Sequence, residues 1–131
     1  MTSVFGIGTD IAQISRIAAV FERYGEHFAL RMLTPAELEV FHHRKDPARF
    51  LARRFAAKEA FSKALGTGLR MPVSLHTVGV SNNAGRRPVL HFLPPLAAYM
   101  RAKRLTAHIS ISDEVDYAVA FALVEQHPNP L

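Results

Sequence analysis

The chain's apolar positions change period several times, and each change predicts an element. Residues 4–9 form a short apolar run, punctuated by Gly6 and Gly8, that leads to Asp10; this predicts a strand delivering a carboxylate at its carboxyl end. Ile14, Ile17, Phe21 and Tyr24 then recur every three or four residues up to Gly25, as in an amphipathic helix. Thr34-Pro35-Ala36-Glu37 is a capping box with proline at the first helical position, opening a short helix to about His43. Asp46-Pro47 repeats the signal ahead of a long helix that ends near Gly66, glycine being the usual residue at that end. Residues 75–81 and 88–92 flank Asn82-Asn83-Ala84-Gly85-Arg86 and predict a hairpin. Pro94-Pro95 starts a helix to about Arg104, residues 108–112 alternate as a half-buried strand, and residues 113–116 turn into a last strand over 117–124. That strand has no polar residue from Ala118 onward, so both of its faces should be covered, by the domain's own helices or by another subunit.

The long helix holds the chemistry. Its second half is apolar on most sides, which marks a buried helix, yet it carries Lys58, Glu59 and Lys63. A carboxylate there is costly unless a cation, a metal or hydrogen bonds compensate it. Lys63, one turn on from Glu59, is the ordinary answer. Asp10 taken alone reads as a helix N-cap or a turn residue. Gly66-Thr67-Gly68 follows the helix, away from the positive end of its dipole, and reads as a C-cap and turn; an anion there would need backbone amides and a neighbouring lysine.

Composition narrows the partners. With 131 residues, 49% of them hydrophobic and 21% charged, a single domain over 1–131 is expected. The absence of cysteine excludes disulfides, thiolate metal sites and cysteine nucleophiles, and no stretch reads as a membrane span or signal peptide, so a cytoplasmic protein is expected. A net charge of +5 favours an anionic partner. Basic runs interleaved with aromatics and zinc-finger spacings are missing, so nucleic acid is not expected. Ile11 stands where a dinucleotide fingerprint needs its third glycine, no G-x-S-x-G elbow occurs, and the seven histidines form no metal set.

Two segments together change this picture. Gly6-Ile7-Gly8-Thr9-Asp10-Ile11, followed some fifty residues later by Arg54-Phe55-Ala56-Ala57-Lys58-Glu59-Ala60-Phe61-Ser62-Lys63, closely resembles the paired signature of 4'-phosphopantetheinyl transferases. Length and Leu65-Gly66-Thr67-Gly68 make the chain similar to the small, single-domain holo-[acyl-carrier-protein] synthase type, as do Arg16, the Arg86-Arg87-Pro88 hairpin and the run from His108 to Ala118. The resemblance implies an α+β fold, with a small antiparallel sheet packed on a long central helix. It implies transfer of the phosphopantetheine arm of coenzyme A to a serine of apo acyl carrier protein in fatty acid biosynthesis, with release of adenosine 3',5'-bisphosphate. Such chemistry rests on positioning and on neutralising phosphoryl oxygens, for which magnesium held by one or two carboxylates and substrate phosphates is suited.

By this resemblance Asp10 and Glu59 are the metal ligands, Glu59 also lies near the entering serine, and Lys63 contacts a phosphate. Lys58 would orient Glu59 or touch coenzyme A. Arg54, Ser62, Gly66, Thr67, Gly68 and Pro88 match positions around the nucleotide. Arg16 and Arg23, seven residues apart on the first helix, would dock the acidic carrier. The type is a homotrimer with sites between subunits. The chain departs from it at Ser112-Asp113-Glu114, where many members have Ser-His-Thr; an acidic pair repels phosphate, so the 3'-phosphate would fall to Arg86 or Arg87. The alternative is a non-catalytic basic module that binds an acidic protein or nucleic acid and keeps Glu59 and Lys63 as a structural pair.

Overall fold

Strand β1 (Ser3–Gln13) runs into α1 (Ile14–Tyr24), α2 (Glu26–Met32), α3 (Pro35–Phe41) and the long α4 (Pro47–Leu65). A hairpin of β2 (Val78–Asn82) and β3 (Pro88–Phe92) follows, then α5 (Leu96–Ala102), β4 (Leu105–Asp113) and β5 (Tyr117–Gln126). The structure is a computed structural model and describes residues 1–129. β1, β5 and β4 form an antiparallel sheet with β5 at its centre, and β2 and β3 pair separately. Helix α4 lies across the larger sheet, which is the expected α+β arrangement.

Local chemistry sets the helix ends. At α3 the Thr34 side chain accepts a hydrogen bond from the Glu37 amide and the Glu37 carboxylate accepts one from the Thr34 amide, so the capping box closes as its sequence predicts. At α4 the Asp46 carboxylate caps the Arg49 amide, and Gly66 ends the helix with a left-handed φ of 88°. Helix α2 has no counterpart among the predicted elements. Gly25, at φ 55°, breaks the first helix and the chain restarts a second one at once.

Strand β5 is covered by the domain's own helices on one face only. Ala118, Ala120, Ala122 and Val124 are buried against α4, while Tyr117, Val119 and Phe121 point the other way and are exposed. One chain therefore covers only one face of this strand. The same alternation governs β1, where Gly6, Gly8, Asp10 and Ala12 face α4 and Ile7 and Ile11 stay exposed. A bulge between Val4 and Gly6 shifts the register at the start of β1.

Candidate active site

The site begins with two missing side chains. A Cβ at Gly6 would stand 1.9 Å from the Ala64 carbonyl oxygen, and one at Gly8 would stand 2.2 Å from that of Ala60. Only glycine lets β1 lie directly on the backbone of α4. Two residues further on the same face, Asp10 comes level with the helix and meets Lys63, whose Nζ donates to Asp10 Oδ1 at 3.1 Å and to the Thr9 carbonyl at 3.0 Å. Asp10 sits inside β1, opposite Ala120, and not at the strand's end, because pairing continues to Gln13 and Tyr117.

Glu59 lies one turn before Lys63. Burial pushes its carboxyl above the usual range, the charge of Asp10 pushes it further the same way, and Lys63 opposes both. The expected i to i+4 pair of Glu59 with Lys63 does not form among the described residues, since Lys63 reaches across to Asp10. Two carboxylates whose charges repel, with a lysine beside them, suit a divalent cation that completes its shell with water and phosphate oxygens. Asp10 and Glu59 thus fit magnesium as donors.

Three residues assigned to coenzyme A by resemblance face elsewhere. Lys58 is wholly buried; its Nζ donates to Glu37 Oε1 at 2.6 Å, to the Leu75 carbonyl at 2.7 Å and to the Met32 carbonyl at 2.8 Å. It neither orients Glu59 by contact nor reaches solvent. Burial lowers its pKa, against the raising effect of Glu37. Ser62 is also wholly buried and donates to the Glu59 carbonyl one turn back. Arg54 is 7% exposed and turns inward, its guanidinium 4.3 Å from the Phe50 ring centroid and its Nε 3.6 Å from Glu37 Oε2 without a hydrogen bond. Burial lowers the Arg54 pKa to about 10, with Glu37 resisting.

Glu37 is the residue that sequence reasoning undervalued. Its two oxygens receive the Thr34 amide, Lys58 and the Val80 amide, so one buried carboxylate ties α3 to α4 and to β2. The capping box revealed its helix role; nothing nearby in sequence revealed Lys58 as its partner. Asp113 was missed as well. It ends β4 and ion-pairs with Arg49 at 2.7 Å and with Arg53. Burial alone would raise its pKa, but the Arg49 hydrogen bond and the Arg53 charge hold it below the usual carboxylate range. The Asp113 carboxylate thus clamps the sheet to α4.

Of the remaining assignments, Gly66, Arg16 and Arg23 are exposed and Thr67, Gly68 and Pro88 are half-buried. The amides of Gly66 and Gly68 donate to the Ser62 carbonyl at 3.1 Å, so these two are spent on the helix end and unavailable to an anion; Thr67 Oγ1 donates to the Gly68 carbonyl. Pro88 starts β3 and borders a cleft of about 470 Å³ between β3 and β4, with Asn83, Arg87, Ser110 and Ile111 on its walls. Arg16 and Arg23 are both exposed on α1. Beside Arg16 a shallow groove is lined by Ile11, Ile17, Val20, Phe28 and Phe55. No helix among the described residues is long and apolar enough to cross a membrane.

Known proteins share this architecture. A holo-[acyl-carrier-protein] synthase of Azoarcus sp. (strain BH72) is 52% identical over 122 residues, which cover 93% of this chain and 98% of the relative. The crystal structure of holo-[acyl-carrier-protein] synthase from Neisseria meningitidis matches with a TM-score of 0.90 at 40% identity, covering 93% of this chain and 98% of that one. A Bacillus anthracis holo-(acyl-carrier-protein) synthase, solved in complex with CoA (3',5'-ADP), matches at 0.81 and 34% identity, over 95% and 98%. The model of the 4'-phosphopantetheinyl transferase superfamily matches residues 6–122, from the glycine that seats β1 on α4 to the core of β5. With its carboxylates and lysine set on those two elements, this chain belongs to the 4'-phosphopantetheinyl transferase superfamily.

Proposed function

We infer that the protein transfers the 4'-phosphopantetheine arm of coenzyme A to a serine hydroxyl of apo acyl carrier protein, releasing adenosine 3',5'-bisphosphate, as a step of fatty acid biosynthesis. The observation that carries this reading is the meeting of Asp10 from β1 with Glu59 and Lys63 from α4. In this reading Asp10 and Glu59 hold magnesium, which when bound supplies positive charge to the pyrophosphate oxygens. Lys63 serves a phosphate of coenzyme A. Glu59 also lies near the entering serine, directly or through a metal-bound water. The non-catalytic alternative needs Glu59 and Lys63 as a structural pair, and Lys63 instead bonds Asp10.

The wider assignments follow. The nucleotide occupies the cleft bordered by Pro88, with Arg87 on its wall and Arg86 beside it on the hairpin as donors to phosphate. The Gly66, Thr67 and Gly68 turn flanks the arm. Arg16 and Arg23 steer an acidic carrier, whose apolar side chains fit the groove between α1 and Phe55. The exposed apolar face of β1 and β5 supports a homotrimer with each site between two subunits, because an apolar face of this kind left open by one chain marks an interface. A cytoplasmic location goes with the cysteine-free composition.

Incubating the protein with magnesium, coenzyme A and a bacterial apo acyl carrier protein should add one phosphopantetheine to the carrier, read as a fixed mass increase by intact-protein mass spectrometry. Asp10→Ala and Glu59→Ala should each abolish the shift while circular dichroism and oligomer size stay unchanged. Normal turnover in either variant would remove that residue from the metal site, and no shift with any of several carriers would overturn the reading.

A further inference from the structure

Lys63 has two claims on it. For the transfer reaction it belongs on a phosphate of coenzyme A, yet in the ligand-free chain its ammonium is bound to Asp10 Oδ1 at 3.1 Å and to the Thr9 carbonyl at 3.0 Å. Asp10 is the more enclosed partner, with 16% of its side chain exposed against 52% for Lys63. The lysine is therefore the partner better placed to move, its Cβ lying beside Gly8 and its ammonium on the exposed side of the pair. Among the described residues Lys63 is also the cation that acts on the Glu59 carboxylate, opposing burial and the charge of Asp10. One ammonium thus pairs with Asp10 and partly offsets the cost of the Glu59 charge, acting on both carboxylates.

We propose that Lys63 is a built-in placeholder cation: it holds Asp10 in the free protein and is drawn off to a phosphate when coenzyme A arrives. This rests on the assignment of a metal to Asp10 and Glu59. Metal alone must displace the ammonium and then sit beside an unpaired positive charge, so it binds weakly. Coenzyme A gives the ammonium a better partner and frees Asp10. The two ligands therefore favour each other through Lys63, in addition to any direct contact between them. Water-exposed ion pairs are weak enough for such an exchange to be easy, roughly a two- to fivefold effect on an equilibrium.

The test is Mn2+ binding to the assembled protein, followed by electron paramagnetic resonance of the free ion, without and with coenzyme A. Without coenzyme A, Lys63→Met should bind Mn2+ about threefold or more tightly than wild type, and Lys63→Arg, which keeps the cation, should stay close to wild type. Coenzyme A should tighten Mn2+ binding by a smaller factor in Lys63→Met than in wild type. Equal or weaker binding by Lys63→Met overturns the placeholder role and leaves the metal site standing. Mn2+ binding that survives both Asp10→Asn and Glu59→Gln unchanged overturns the metal assignment, and the placeholder role falls with it. Binding too weak to measure in wild type but measurable in Lys63→Met supports the proposal; binding measurable in neither overturns it.

Discussion

The two faces that β1 and β5 present are built from opposite materials. Toward α4 they present Gly6, Gly8 and Ala12 from β1 and Ala118, Ala120 and Ala122 from β5, against Ala56, Ala57, Ala60 and Ala64 of the helix. Away from α4 stand Ile7, Ile11, Val119 and Phe121, each exposed in the single chain. Two strands that bury mostly small residues and expose large ones invert the usual pattern, which β4 keeps, with Leu105, Ile109 and Ile111 on its inner side. The inner face gives up apolar area for closeness, so that backbone rests on backbone and Asp10 comes level with the helix. The outer face holds the area that the inner one lacks, and in the proposed trimer that area serves contact between copies.

Substitutions on adjacent residues separate the two roles. Gly8→Ala should have the largest effect, because the new Cβ meets helix backbone that cannot yield; a loss of about 3 kcal/mol in denaturant unfolding is expected, with transfer abolished. Its neighbour Ile7→Ala, on the outer face, should leave transfer measurable, and equal damage from both would erase the distinction. Phe121→Asp comes next. It should change the stability of the isolated chain by only about 0.5 kcal/mol while converting the assembly to monomers by light scattering, with transfer reduced roughly a hundredfold as the shared site is lost. A trimer left intact by Phe121→Asp would mean that this face has another use.

The smallest expected effect tests the carboxylate on α4 that feels the charge of Asp10. Burial and Asp10 raise the Glu59 pKa above its unfolded value, so the folded chain holds that proton more tightly. Stability from this group is complete below the unfolded pKa and is lost as the pH rises through the folded one. Glu59→Gln, though inactive, should therefore melt slightly above wild type at neutral pH, by less than about 1 kcal/mol, and the gain should vanish as the pH falls below the carboxylate range. A variant less stable than wild type at neutral pH would show that Glu59 is stabilised in place.

Much of this was legible in the sequence where the physics is local. The Thr34 capping box, the Asp46 cap with Pro47, the glycine stop at Gly66 and the hairpin around Asn83 depend on residues a few positions apart, and each appears where its pattern predicts. Asp10 and Glu59 came together by resemblance, and the glycines beneath β1 supply the physical reason. What stayed hidden depends on distant partners. In a helix buried nearly all round, no polar stripe indicates which member of Lys58-Glu59 turns inward; Glu37, on another helix, decides it. Asp113 likewise takes its meaning from Arg49 and Arg53 on α4. For β5, seven apolar residues in a row conceal an alternation of small and large that separates inner from outer.

The bulge between Val4 and Gly6 has a consequence for how this chain can vary. Side chains alternate along a strand, so one residue gained or lost ahead of Asp10 in a regular pairing would turn the carboxylate to the opposite face. The register is unbroken from Gly6 on, downstream of the bulge. A residue inserted between Gly6 and Asp10 would therefore turn the carboxylate away from α4, with no later irregularity in the pairing of β1 to restore it.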